Sequence, residues 1–133
     1  MRFVSRFALT AVPLILLAGC GGSNALAPQF QPEVVNTPNA KFSFQATRLQ
    51  DVSDLLSYKW SVSSGHIIIH PATTTSGGSV GLTIKDAAGT LIYDGTIPPS
   101  GDITPPSGAG GLWQVEVTFT SYTGTINLRL QMQ

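Results

Sequence analysis

From residue 40 onward, apolar and polar side chains alternate with a period of two. Phe42, Phe44 and Ala46 are interleaved with Ser43, Gln45 and Thr47, and Tyr58, Trp60 and Val62 with Lys59 and Ser61. The run from His66 to His70 is dense in isoleucine. Val80, Leu82 and Ile84 alternate with Gly81, Thr83 and Lys85, and a short β-rich stretch follows at 90–93. Trp113, Val115, Val117 and Phe119 alternate with Gln114, Glu116 and Thr118, and Ile126, Leu128, Leu130 and Met132 with Asn127, Arg129 and Gln131. Side chains two apart share one face of a strand, so each segment has an apolar and a polar face.

Clusters of Gly, Pro, Ser and Asp separate these segments. The pattern predicts an all-β fold, an antiparallel β-sandwich of jelly-roll or immunoglobulin-like type with about seven to eight strands. Two sheets would bury their apolar faces against each other. The expected core is Phe42, Phe44, Trp60, Val62, Leu82, Ile84, Trp113, Val115, Val117, Ile126, Leu128 and Leu130. Residues 51–56 hint at a helical turn. At Lys85-Asp86-Ala87-Ala88-Gly89-Thr90, an aspartate that can bond back to the backbone and a glycine suited to the left-handed region predict a hairpin with a type I turn and glycine bulge. Residues 20–39 hold Gly21, Gly22, Pro28, Pro32 and Pro38 with few large apolar residues. They read as a flexible tether, with the alternative that Phe30, Val34 and Val35 form a short first strand. The folded domain is then expected at 40–133.

The first residues have a different character. Arg2 and Arg6 precede an almost wholly apolar run at 7–17, too short for a permanent membrane span and suited to a signal-peptide core. Leu17-Ala18-Gly19-Cys20 follows, and Cys20 is the only cysteine. This tetrapeptide resembles the bacterial lipobox at all four positions. The resemblance implies cleavage after Gly19, attachment of diacylglycerol to the Cys20 thiol and acylation, as with palmitate, of the new amino terminus. A lone cysteine in an exported chain has no intrachain disulfide partner, which agrees with a lipidated thiol. Several acyl chains at about 0.8 kcal/mol per buried methylene hold a protein firmly at a bilayer. Gly21 and Gly22 follow the cysteine where an aspartate often marks inner-membrane retention. The lipoprotein resemblance therefore implies the cell envelope and, in a cell with two membranes, the outer membrane, on its periplasmic or surface face.

The whole chain carries seven bases and seven acids. Loss of residues 1–19 removes Arg2 and Arg6 and leaves five bases against seven acids over 114 residues. A slightly acidic chain without a basic cluster is no footprint for nucleic acid.

Within residues 79–130 the order is Val80-Gly81-Leu82-Thr83-Ile84-Lys85-Asp86-Ala87-Ala88-Gly89-Thr90, then Gly111-Leu112-Trp113, then Gly124-Thr125-Ile126. A strand, an Asp-x-x-Gly turn, a Gly-x-Trp strand and a final Gly-Thr strand resemble the C-terminal half of bacterial pre-peptidase-C-type and related jelly-roll domains. The resemblance implies a non-catalytic module, of a kind often accessory to secreted enzymes, with some relatives binding carbohydrate or calcium.

Candidate chemistry is sparse. Gly77-Gly78-Ser79-Val80-Gly81 matches the nucleophile-elbow pattern, but that motif needs a strand before the serine and a helix after it, and here a loop is expected before it and a strand after it. His66 and His70 sit about 13 Å apart along an extended strand, whereas a metal needs both nitrogens near about 2 Å. No metal site is therefore expected from them. Asp86, Asp94 and Asp102 lie at or beside turns and lack the Asp-x-Asp-x-Asp spacing of a calcium loop. Trp60 and Trp113 are in phase with aliphatic neighbours and belong to the core. Tyr93 and Tyr122, near strand ends, are expected to be exposed. The long loop at 95–110, with Pro98-Pro99-Ser100-Gly101 and Pro105-Pro106-Ser107-Gly108, is either functional or a mobile decoration. It makes Tyr93, Asp94, Asp102 and Tyr122 the candidate binding residues. The expectation is a membrane-anchored, non-enzymatic binding or structural module that needs no cofactor. It would contact the membrane through the lipid on Cys20, and an envelope protein or glycan through the domain. The alternative is a calcium- or carbohydrate-binding accessory domain serving a secreted enzyme encoded elsewhere.

Overall fold

A computed structural model of the chain describes residues 26–133. The signal segment expected at 1–19 and the lipidation expected at Cys20 lie outside the described residues. A short 3-10 turn (η1, Pro28–Phe30) leads into five strands: β1 (Glu33–Thr37), β2 (Lys41–Val62), β3 (Ile67–Lys85), β4 (Leu91–Thr96) and β5 (Gly111–Met132). All pairings are antiparallel and the strand order is β1-β2-β5-β3-β4.

Five strands replace the seven to eight expected, because the three long strands each run through two of the predicted segments. Phe42 and Tyr58 both belong to β2, and a straight strand would hold them roughly 50 Å apart. Their rings are 5.2 Å apart, and Phe42 also lies 6.5 Å from Trp60. The strand therefore folds back, and its two halves face each other. Register shifts mark the bend in each long strand: between Ala46 and Asp54 in β2, and between Thr75 and Ser79 in β3, opposite Thr120 to Gly124 of β5. These are β-bulges, which bend a strand and raise its twist. The single sheet thus doubles over into two layers. One holds β1 with the first halves of β2 and β3 and the second half of β5. The other holds β4 with the remaining halves.

The bends form where left-handed backbone is supplied. Arg48, Asp51, Gly78 and Ser121 all have positive φ. At Gly78 a Cβ would run into the carbonyl oxygens of Thr120 and Ser121, so only glycine lets the two bent strands approach there. The expected helical turn at 51–56 is absent: those residues continue β2 through its bulges and keep their ladder to β5.

All twelve expected core residues are buried, within one cluster drawn from both layers. Among the described residues no buried side-chain polar atom lacks a hydrogen-bond partner. The Trp60 indole N–H donates to the Thr37 carbonyl at 3.1 Å, and that of Trp113 to the Ala109 carbonyl at 2.8 Å. The folded part begins before residue 40. Leu26 is buried, Phe30 packs on the core, and β1 pairs with β2 from Glu33↔Gln45 to Thr37↔Lys41. The first-strand alternative thus holds for Val34 and Val35, and the tether expected at 20–39 does not extend through them.

Candidate functional site

The site is built on an edge. The first half of β3 pairs with β5 on one side, which leaves its other row of N–H and C=O groups open. Such an edge templates unwanted pairing unless something covers it. The loop at 97–110 does so. Ile97 N–H donates to the Val80 carbonyl, Thr73 N–H to the Pro99 carbonyl, and Gly108 N–H to the Gly65 carbonyl, all at 2.9 Å. Ile69 and Ile103 exchange both backbone bonds, at 2.8 and 2.9 Å. Ile97 and Pro105 are buried and Ile103 packs on the core. The loop is an edge cover fastened along its length, so the mobile-decoration reading does not describe it.

The Ile69–Ile103 bridge places the neighbours of both residues side by side. His70 Nδ1 lies 2.7 Å from Asp102 Oδ1, with the histidine side chain 24% exposed and the aspartate 64% exposed. Across the β3–β5 ladder His70 faces Arg129, and Ala72 faces Asn127. These residues and Pro71 line an open cleft of about 230 Å³. Arg129 offers a planar fork of donors suited to a carboxylate or other anion, Asn127 an amide, and His70 its second ring nitrogen. An aspartate on one imidazole nitrogen is also how hydrolytic sites orient a histidine. Among the described residues, however, no hydroxyl or thiol is hydrogen-bonded to His70. The cleft can hold a polar group by contact.

The four expected binding residues stand in separate places. Asp102 pairs with His70 beside the cleft and is not among the residues that line it. Asp94 accepts the Thr83 hydroxyl at 3.0 Å on the outer face of the other layer. Tyr93 is half-buried, its hydroxyl 3.5 Å from the Thr96 carbonyl. Tyr122 is fully buried, against the expectation of exposure. Its hydroxyl lies 3.2 Å from the Thr74 carbonyl, 3.1 Å from the Thr125 carbonyl and 3.3 Å from the Thr75 hydroxyl, which donates to it. The cause is Ser121. In the left-handed region at φ 43°, it adds a bulge residue and turns the next side chain inward.

The remaining candidates are absorbed by the fold. Asp86 is buried and caps two loops. Oδ1 accepts the N–H of Ala88 at 2.9 Å and of Thr90 at 2.8 Å, and Oδ2 that of Ala109 at 2.9 Å. The Ala109 N–H and those of the turn hold its carboxyl below the usual aspartate range, against the opposing effect of burial. Gly89, at φ 81°, closes the predicted turn. Asp86, Asp94 and Asp102 do not converge. Among the described residues no three His, Cys, Asp or Glu side chains are grouped to hold a metal. Ser79 sits inside β3, with strand on both sides of it: the loop expected before it is the bulged bend of β3, which stays paired with β5. Trp60 and Trp113 are fully buried, so neither offers a stacking face to a sugar.

Nothing local in the sequence pairs His70 with Asp102 or points to Arg129 and Asn127 as their neighbours. Alternation does put His70, Arg129 and Asn127 on outward positions. The strand order that makes them neighbours is non-local and has no sequence signal of its own. No protein-family model matches the chain, and no curated protein matches it.

Proposed function

We propose that this chain is a lipid-anchored, non-enzymatic module of the bacterial cell envelope that works by contact with a protein or glycan of that envelope. The observation that carries the reading is Leu17-Ala18-Gly19-Cys20, placed at the end of a basic-then-apolar leader and containing the chain's only cysteine. Its resemblance to a lipobox assigns Cys20 as the acylated first residue of the mature protein. The pre-peptidase-C-like pattern over residues 79–130 supports a non-catalytic role on a jelly-roll-type scaffold. In a cell with two membranes the anchor would sit in the outer membrane, since Gly21 and Gly22 carry no retention charge.

The described domain is compatible with contact rather than chemistry. Its turn aspartate is committed to backbone N–H groups, and its tryptophans and Tyr122 are committed to the core. The His70–Arg129 cleft is the contact point of this reading. Metabolic labelling with an alkyne fatty acid tests it. Wild-type chain should take up the label and sediment with membranes. Cys20→Ala should take up none and lose its membrane association. Equal labelling of both forms, or of neither, would remove the anchor and with it the proposal.

A further inference from the structure

We infer that the bend end of the folded domain rests against the phospholipid headgroup layer, and that its opposite end projects away from the membrane. The inference rests on the anchor reading above and adds the orientation that the fold imposes on it. Three long strands double back at one end, through residues 47–53, 76–78 and 120–124. The turns at 38–40, 63–66 and 86–90 and the end of β5 lie at the other, where Asn39 N–H donates to the Ser61 carbonyl and Gln133 N–H to the His66 carbonyl.

The chain enters at the bend end. Glu33 pairs with Gln45 at the start of the β2 bend, and the Thr47 hydroxyl donates to Gln31 Oε1 at 3.4 Å. Before Gln31 the backbone is closed into the η1 turn by Phe30 N–H on the Ala27 carbonyl at 3.1 Å, which keeps buried Leu26 close by. Cys20 is six residues before Leu26. At no more than about 3.6 Å per residue, these six residues reach at most roughly 20 Å. The half-strands are about nine residues long, which sets the two ends about 27 Å apart. A lipid on Cys20 therefore holds the bend end within reach of the headgroups and leaves the opposite end free to stand clear.

The bend surface suits that neighbour. Its exposed side chains include Arg48, Gln50, Asp51, Ser76 and Ser121, one cation and one anion among hydroxyl and amide groups. Such a surface hydrogen-bonds phosphodiester oxygens without burying charge. Among the described residues the exposed large apolar side chains are Val34, Leu55, Leu91 and Leu112, none of which lies within 47–53, 76–78 or 120–124. The contact is thus a polar seat on the headgroups and not an insertion into the acyl layer.

The test uses the full lipidated chain, extracted from membranes and reconstituted in phosphatidylethanolamine–phosphatidylglycerol vesicles carrying a headgroup-labelled acceptor lipid. With Cys20 consumed as a thioether, one introduced cysteine gives a unique labelling site. Donor dyes go on Gln50→Cys and Ser76→Cys at the bend end, and on Ser64→Cys and Ala88→Cys at the opposite end. Thr118→Cys and Asn127→Cys place dyes on the outer faces of the two layers. Energy transfer should be strongest from positions 50 and 76, weaker from 118 and 127, and weakest from 64 and 88. Strongest transfer from 118 or 127 would mean the domain lies on its side, and equal transfer from all six would mean it has no set orientation. Either result overturns the inference while leaving the anchor standing. A chain whose intact mass shows no acyl groups overturns the anchor reading, and the orientation with it.

Discussion

Replacing Tyr122 with phenylalanine removes one hydroxyl and leaves the ring in place. That ring is fully buried and packs against Phe119 with centroids 5.6 Å apart. The hydroxyl ties the β5 bend to β3: it reaches the Thr74 and Thr125 carbonyls and accepts the Thr75 hydroxyl. It has one proton to give, so it makes one donated and one accepted bond at a time. Thr74 and Thr75 are exposed and Thr125 is half-exposed, so water can replace the lost partner on those groups. The full penalty of a buried unsatisfied carbonyl therefore does not apply. The expected loss is that of a single hydrogen bond, about 1 kcal/mol. With an unfolding entropy near 2.1 cal/mol/K per residue over a domain of this size, the Tm should fall by roughly 4 °C. Tyr122→Ala, which also empties the ring's site, should cost about 3–5 kcal/mol. Calorimetry or urea unfolding of both variants beside the wild type measures this. Amide exchange around Thr75 and Gly124 should accelerate in Tyr122→Phe ahead of the rest of the sheet. An unchanged midpoint, or a loss as large as that of the alanine variant, would refute the view that the hydroxyl clamps the bend.

Further outcomes follow from other groups. The Asp86 carboxyl is held below its ordinary value, so it contributes stability above the unfolded-state pKa of about 3.8 that is lost as pH falls through the lower folded value. Asp86→Asn should be less stable at neutral pH, with a shallower acid dependence in pH-resolved unfolding, because its amide meets the Ala109 N–H donor to donor. Burial, with Asp54 adding to it, pushes the Tyr58 hydroxyl up to about 12. The folded state then favours the neutral phenol, and stability that is full below pH 10 is lost as pH rises towards 12. Tyr58→Phe should flatten the alkaline limb of the same profile. The His70–Asp102 contact is exposed on its aspartate side, so Asp102→Asn should cost less than about 1 kcal/mol in urea unfolding. Replacing residues 99–107 by a short glycine–serine linker uncovers the β3 edge, and light scattering should show concentration-dependent association that the wild type lacks.

The strand segments and the core were legible because alternation is local. Trp60, Trp113 and their aliphatic neighbours reveal their phase within a few residues, and all are buried. The continuity of the long strands was less legible, although its trace is in the sequence. The buried positions of β5 are odd from Trp113 to Phe119 and even from Tyr122 to Leu130. Those of β3 are odd at Ile67 and Ile69 and even from Val80 to Ile84. Such a flip means either a turn or a bulge, and periodicity alone cannot distinguish them. The apolar spacing at 51–56 imitated a helical turn for the same reason, since bulges break the period of two. The cleft was the least legible part. His70 and Asp102 are 32 residues apart, and only the path of the loop along the β3 edge brings them to 2.7 Å.

Intact-mass spectrometry of the chain extracted from its native membranes tests the central claim most directly. The account predicts a polypeptide that begins at Cys20 and carries the added mass of a diacylglycerol and an amide-linked acyl chain, with fragmentation placing both on that residue. A mass equal to that of an unmodified chain, whether it retains residues 1–19 or begins at another position, would contradict it.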